Sequence, residues 1–266
     1  NQKVKNKDRL LYDQTVRGGH GVGTTVDKPR TRGEISDQDL VELAGKHAYA
    51  EVKEEEIVYI NDNSYLVLET NYDEFKSGMD AFVVQNLATD ECALIFIGSV
   101  GKDDWIGTNP KLLGNVYPRQ MEDAITYYER SKDRYNITAV AGNSLGGANT
   151  NAVGVKYPDV RAVSLNPALL PEDKDIDFNR EYPNITNYYS QYDFLTATIH
   201  SLEYGHRIPG KKYHINNGLP LAGLIGPNHT GYLSGGLYEV GKEGEPGHGF
   251  INVDADEFIV RSIWTG

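Results

Sequence analysis

Between residues 57 and 97 the chain breaks into four short runs rich in β-branched and aromatic residues, 57–60, 65–68, 81–87 and 92–97. Turn signals at Asn61-Asp62, Tyr72-Asp73 and Thr89-Asp90 separate them, a pattern that predicts strands. The early runs lie close enough in sequence to pair antiparallel, whereas the unbroken apolar run 93–97 predicts a strand buried on both faces. Ahead of them, Ser36 with Asp39 resembles a capping box, and Leu40, Leu43, Ala44, His47 and Ala48 follow at helical spacing, which predicts a helix reaching about Val52. Beyond residue 97 the period changes. Met121, Ala124, Ile125 and Tyr128 form a helical stripe, 137–141 a strand, and Ala148, Ala152 and Val155 one face of a helix ended by Tyr157-Pro158. Further strands are predicted at 161–165 and 185–189. This alternation implies an α/β fold with a mostly parallel central sheet, antiparallel N-terminal strands and helices on both faces.

Residues 1–35 are polar, interrupted by Gly18, Gly19, Gly21 and Gly23, and carry no long apolar period. They read as an irregular N-terminal arm, leaving 36–266 as one domain of a size that α/β folds commonly reach. The glycines could suggest a phosphate cradle, but no strand precedes them and no Gly-Lys-Ser/Thr follows, so a loop is the better reading. Residues 257–264 are apolar-rich and run to Gly266 without a polar tail, which suggests either that more chain follows or that a helix simply ends there.

The composition, 39% hydrophobic and 24% charged, is ordinary for a globular domain, and no stretch approaches the roughly 18 apolar residues of a membrane span. A net charge of -12 argues against nucleic acid as a partner, since polyanions are held by clustered Lys and Arg. Contact with a membrane surface would therefore be apolar in character. The one cysteine, Cys92, borders the apolar run 93–97 and reads as a buried, inert thiol.

The chemistry gathers at Gly142-Asn143-Ser144-Leu145-Gly146, a Gly-x-Ser-x-Gly sequence entered by an apolar strand and left by a small-residue helix. That context marks a nucleophile elbow, in which a strained turn exposes the serine hydroxyl at a helix N-terminus. A serine needs a histidine to take its proton, and the histidine needs a carboxylate to fix its tautomer. In chain order after such an elbow the acid comes first and the histidine second. Asp193, directly beyond the strand 185–189, is the preferred acid, with Asp173, Asp175 and Asp177 as rivals. His229, in the tight loop Gly226-Pro227-Asn228-His229-Thr230-Gly231, is the preferred base over His200, His206, His214 and His248. The oxyanion donors are expected at the amide of Leu145 and in Gly98-Ser99, with Ser99 supplying the second. Asp173, Asp175, Asp177 and Asn179 are spaced like the start of a calcium loop, but Phe178 stands where glycine is required, so a solvated acidic loop is favoured. Neither a metal nor a cofactor is called for.

With these residues in place, the chain resembles the class 3 lipase branch of the α/β-hydrolase fold. Phe96-Ile97-Gly98-Ser99 followed by Asp103-Asp104-Trp105 is similar to that family's oxyanion segment. Gly142-Asn143-Ser144-Leu145-Gly146-Gly147 is similar to its Gly-His-Ser-Leu-Gly-Gly elbow, with Asn143 in place of histidine. The likeness spans roughly residues 80–232. It implies a serine ester hydrolase acting on a lipid or other acyl ester. The Asn-bearing elbow and the acidic loops further resemble bacterial lipase domains, including toxins exported by type VII secretion. That narrower likeness implies phospholipase A-type activity, secretion, a further domain and a cognate immunity protein. The alternatives are a thioesterase, acyltransferase or peptidase on the same fold, or a lipid-binding module without chemistry. Residues 218–226, apolar and Gly-rich, could wall or cover an acyl groove, or be an ordinary buried element.

Overall fold

A computed structural model describes residues 35–60, 62–98, 118–172, 176–190, 193, 195–196, 199, 204–215 and 250–251. Helix α1 (Asp37–Gly45) opens the described part, and a 3-10 turn follows at His47–Tyr49. Strands β1 (Ile57–Ile60), β2 (Asn63–Asn71), β3 (Asp80–Asn86) and β4 (Cys92–Ile97) come next, each antiparallel to the one before. Helix α2 (Pro118–Lys132), β5 (Ile137–Asn143), helix α3 (Leu145–Lys156), β6 (Arg161–Leu165), β7 (Ile185–Ser190), β8 (Lys211–Ile215) and β9 (Phe250–Ile251) complete the order. β4 to β8 run parallel, and β9 returns antiparallel on β8.

The nine strands lie in the sheet in chain order. Parallel crossovers are right-handed, so a sheet that grows in one direction gathers its crossover helices on one face. α2 and α3 pack against each other and share that face, over a core of Leu94, Phe96, Ala124, Tyr127, Val140 and Val153. α1 precedes the sheet and packs on β5 and β6, where Leu40, Leu43 and Ala44 meet Phe82, Ile95, Ala141 and Val163. Helices on both faces of a largely parallel sheet with antiparallel N-terminal strands make this an α/β-hydrolase fold.

Three expectations need correction. The first helix stops at Gly45 rather than near Val52, because glycine is a poor helix former and the chain tightens into the 3-10 turn that carries Tyr49. β2 is longer than the run 65–68 and shifts register between Val67 and Glu69. β8 and β9 went unpredicted: β8 opens on Lys211-Lys212 and is a strand because β7 pairs with it. The Ser36 side chain does accept the Asp39 amide at 3.1 Å, while the Asp39 carboxylate turns inward to Tyr65 and, at 2.8 Å, to Asn63. Cys92 is buried, as expected, and burial pushes its thiol up to about 11.

One polar cluster interrupts the apolar layer under α3. Asn187, fully buried in the middle of β7, accepts from Asn151 of α3 at 2.9 Å and from the Ser164 hydroxyl of β6. Its amide donates to the carbonyls of Pro209 at 2.7 Å and Lys211 at 3.1 Å. A single side chain thus fastens α3, β6, β7 and the start of β8. Of the arm 1–35 only Ile35 is described, and it is buried in the core against α1 rather than loose; the segment 218–226 and the stretch 257–264 lie outside the described part.

Candidate active site

The elbow begins where β5 ends. Ser144 has φ 58 and ψ -120, a backbone region that L-residues seldom occupy and that costs on the order of 1–3 kcal/mol. Its neighbours hold it there. The Ser144 amide donates to Leu165 O at 3.1 Å, and its carbonyl accepts from Ala148 at 3.1 Å and Ala168 at 2.9 Å. The flanking glycines are needed for space, because a Cβ on Gly142 would strike the Gly146 carbonyl and come within 2.7 Å of the Thr150 hydroxyl. Ser144 is also the N-cap of α3. The first amides of a helix have no intrahelical acceptor, so Leu145, the first helical residue, has its N–H where negative charge is stabilised.

Asn143, the residue that stands where the resembled family has histidine, is fully buried. Its amide donates to Leu165 O at 3.0 Å, and its Oδ1 accepts from the Tyr49 hydroxyl at 2.6 Å. Burial pushes the Tyr49 phenol above its ordinary value, so it stays a donor. Gly98 is packed against the same group: a Cβ there would collide with Asn143 O, lie 2.7 Å from Tyr49 Oη and 3.3 Å from Ser144 Cβ. The β4 end therefore lies against the elbow. Ser99 itself lies outside the described residues.

Asp193 follows β7 by three residues, on the same strand-end edge as Ser144, and is buried at 2% exposure. Its Oδ2 accepts from the Thr196 amide at 2.8 Å and the Thr196 hydroxyl at 2.5 Å. Thr196 continues to Asn166 Oδ1 at 3.5 Å. Asn166, at φ 43 just beyond β6, donates its amide to Tyr188 O at 2.8 Å. These contacts join the edge from the acid to the 165–168 segment that grips Ser144. Among the rival acids, Asp177 is exposed and its Oδ1 caps the Asn179 amide at 2.9 Å, which is loop-forming work; Asp173 and Asp175 lie outside the described residues.

His229, His200 and His248 also lie outside them. His206 sits in the 3-10 turn Gly205–Arg207 leading into β8, at the opposite, strand-start edge of the sheet. His214 lies within β8 beside Tyr189. The sequence reading missed Tyr49, Asn166 and Thr196. Asp-x-x-Thr is a capping pattern that could have pointed to Thr196, whereas Tyr49 meets Asn143 across 94 positions and no local spacing announces that.

The chain matches no protein-family model and no curated protein sequence. Among solved structures it is similar to a triacylglycerol lipase from Penicillium expansum, at 17% identity over 67% of this chain and 78% of that one, with a TM-score of 0.41. A Rhizomucor miehei lipase in complex with its propeptide is similar at 13% identity over 67% and 66%, TM-score 0.40. A lipase from Yarrowia lipolytica is similar at 15% identity over 61% and 69%, TM-score 0.37. Likeness at such identities concerns fold only. No helix among the described residues is long and apolar enough to cross a membrane.

Proposed function

We propose that this chain is a serine ester hydrolase of the lipase or phospholipase A type, with Ser144 as nucleophile, Asp193 and His229 as its triad partners, and Leu145 and Ser99 as oxyanion donors. The observation that carries the reading is the strained backbone of Ser144, φ 58, between an apolar strand and a helix N-terminus. Strain of this kind persists where surrounding structure enforces it and gathers at reactive sites.

The chemistry follows from the residue types. Ser144 Oγ attacks the ester carbonyl carbon while His229 takes its proton, and the carbonyl oxygen becomes an oxyanion facing the Leu145 amide and Ser99. Collapse expels the alcohol as the C–O bond breaks, His229 returns the proton to it, and Ser144 is left acylated. Water, deprotonated by His229, then releases the carboxylic acid and restores the serine. Asp193 holds the imidazole in the right tautomer throughout. Support for an acyl glycerolipid substrate comes from the resemblance of the 96–105 and 142–147 segments to class 3 lipases. A secreted toxin role with an immunity protein extends that resemblance.

The test is labelling with a serine-reactive fluorophosphonate followed by peptide mapping. Adduct on Ser144, with ester hydrolysis lowered at least about a thousandfold in Ser144→Ala, is the expected result. A folded Ser144→Ala protein that keeps turnover overturns the reading.

A further inference from the structure

A second concave site lies at the other end of the sheet, far from the elbow. The turn before β7 and the approach to β8 enclose a cavity of about 440 Å³, within the range of small-ligand pockets. Its walls include the buried Tyr182 and Ile208 and the half-buried Phe178. Its mouth carries the exposed Arg180 and Lys211, with Lys212 beside them and Glu181 as the acid among its lining residues.

That charge runs against the chain as a whole, which holds 38 acidic and 26 basic residues. Several cations elsewhere are paired, Arg130 with Glu74, Arg134 with Glu69, Lys156 with Glu129 and Arg207 with Glu172. Among the described residues neither Arg180 nor Lys211 has a carboxylate partner. Arg180 lies over the Tyr182 ring, 5.6 Å from its centre, and Lys212 donates to the Gly205 carbonyl at 2.9 Å. An acidic protein that gathers unpaired cations at a concave mouth concentrates anions there, and the aromatic and aliphatic walls behind them suit a tail rather than a second charge.

We infer that this cavity binds a small anionic amphiphile, an acidic head group held by Arg180, Lys211 and Lys212 with a short apolar chain against Phe178, Tyr182 and Ile208. The inference stands on the cavity and goes beyond the hydrolase reading, so a binding measurement tests it without turnover. The head group could be a carboxylate or a phosphate monoester, and the probes separate the two.

Isothermal titration of the whole chain with decanoate, decyl phosphate, decanol and inorganic phosphate, at low salt, decides it. Decanoate or decyl phosphate is expected to bind at least tenfold tighter than both decanol and inorganic phosphate. The pair Arg180→Glu/Lys211→Glu should weaken that binding at least tenfold, and the neutral Lys211→Gln should weaken it by less. Both positions are exposed, and an unchanged far-ultraviolet spectrum would show that the variants fold. Absence of binding by either amphiphilic anion overturns the inference. Affinity untouched by the double reversal does so too, since the ligand would then sit elsewhere. Decanol matching decanoate removes the role of the cations, and inorganic phosphate matching decyl phosphate removes that of the apolar walls.

Discussion

Asn143 shows how one residue of a local motif draws in a distant partner. An amide at this position can bond on two sides at once, to Leu165 O through its NH2 and to the Tyr49 hydroxyl through its Oδ1. Tyr49→Phe removes the donor and keeps the ring, so its effect isolates that bond. The expected outcome is a loss of about 1–2 kcal/mol, seen as a roughly tenfold fall in kcat with KM little changed, because the elbow is displaced and no substrate contact is lost. Asn143→Ala in the same background should add less than it does alone, since the two residues share one interaction. Full additivity in the double mutant would sink the pairing. At this scale the elbow was legible from the sequence, because Gly142, Ser144 and Gly146 are near neighbours whose requirement is local. Tyr49 was not, because only the folded chain brings it to the motif. For the acid, the Thr196 bonds to Asp193 Oδ2 fix the carboxylate's rotamer. Asp193→Asn should therefore leave the protein folded and slow the proposed reaction sharply through the wrong imidazole tautomer. If Asp177→Asn is instead the damaging change under the same assay, the acid has been misassigned.

At the scale of elements, the apolar runs located β1, β4 and β6 to the residue: β4 and β6 are dense in buried side chains, whereas in β1 only the alternate Val58 and Ile60 are buried and Tyr59 is exposed. Lys211 and Lys212 hid β8, where pairing with β7 overrides local propensity. The 3-10 turn His47–Tyr49 was read as more helix because His47 and Ala48 keep the helical period. That turn has its own pH dependence. Burial, with Lys46 beside it, pulls the His47 imidazole down from 6.5 to about 4, against a smaller opposing effect of Glu56. Its Nε2 is buried without a hydrogen-bond partner. The unfolded chain therefore binds more protons than the folded one between about pH 6.5 and 4, so this group's contribution to stability is full above that window and is lost as pH falls through it. Denaturant midpoints measured from pH 7 to 4 should fall more steeply in the native protein than in His47→Gln; identical slopes would show that the imidazole is solvated. The Asn187 cluster belongs to the same scale. Asn187→Leu would leave Asn151, Ser164 and two backbone carbonyls without that partner, each buried group costing about 1–3 kcal/mol. A large downward shift of the urea midpoint is expected, and a midpoint unmoved would mean that the four elements are held by packing alone.

For the whole molecule, the charge of -12 and the composition of the proposed triad make a joint statement about how a lipid substrate would be met. A serine, a histidine and an oxyanion pocket already supply nucleophile, base and charge stabilisation, so a metal would duplicate what the residues do. Attraction of a protein to an anionic bilayer grows by about 1 kcal/mol for each Lys or Arg held near the surface, and a chain with 38 acidic against 26 basic residues has few to spare. The cations concentrated at the Arg180 and Lys211 cavity are at the strand-start edge, away from the edge where Ser144 lies, so they would not draw the Ser144 edge onto such a bilayer. Two consequences follow for acyl release from vesicles, read by mass spectrometry of fatty acid and lysolipid. Rates on phosphatidylcholine and phosphatidylglycerol should agree within a few fold at physiological salt, and a chelator should leave both unchanged. A strong preference for the anionic lipid that vanishes at high salt would reveal a cationic surface near the elbow. Activity lost in chelator and restored by calcium would turn the acidic 173–179 loop into a metal site. Hydrolysis of short thioesters with none of any glycerolipid would keep the nucleophile and replace the substrate class.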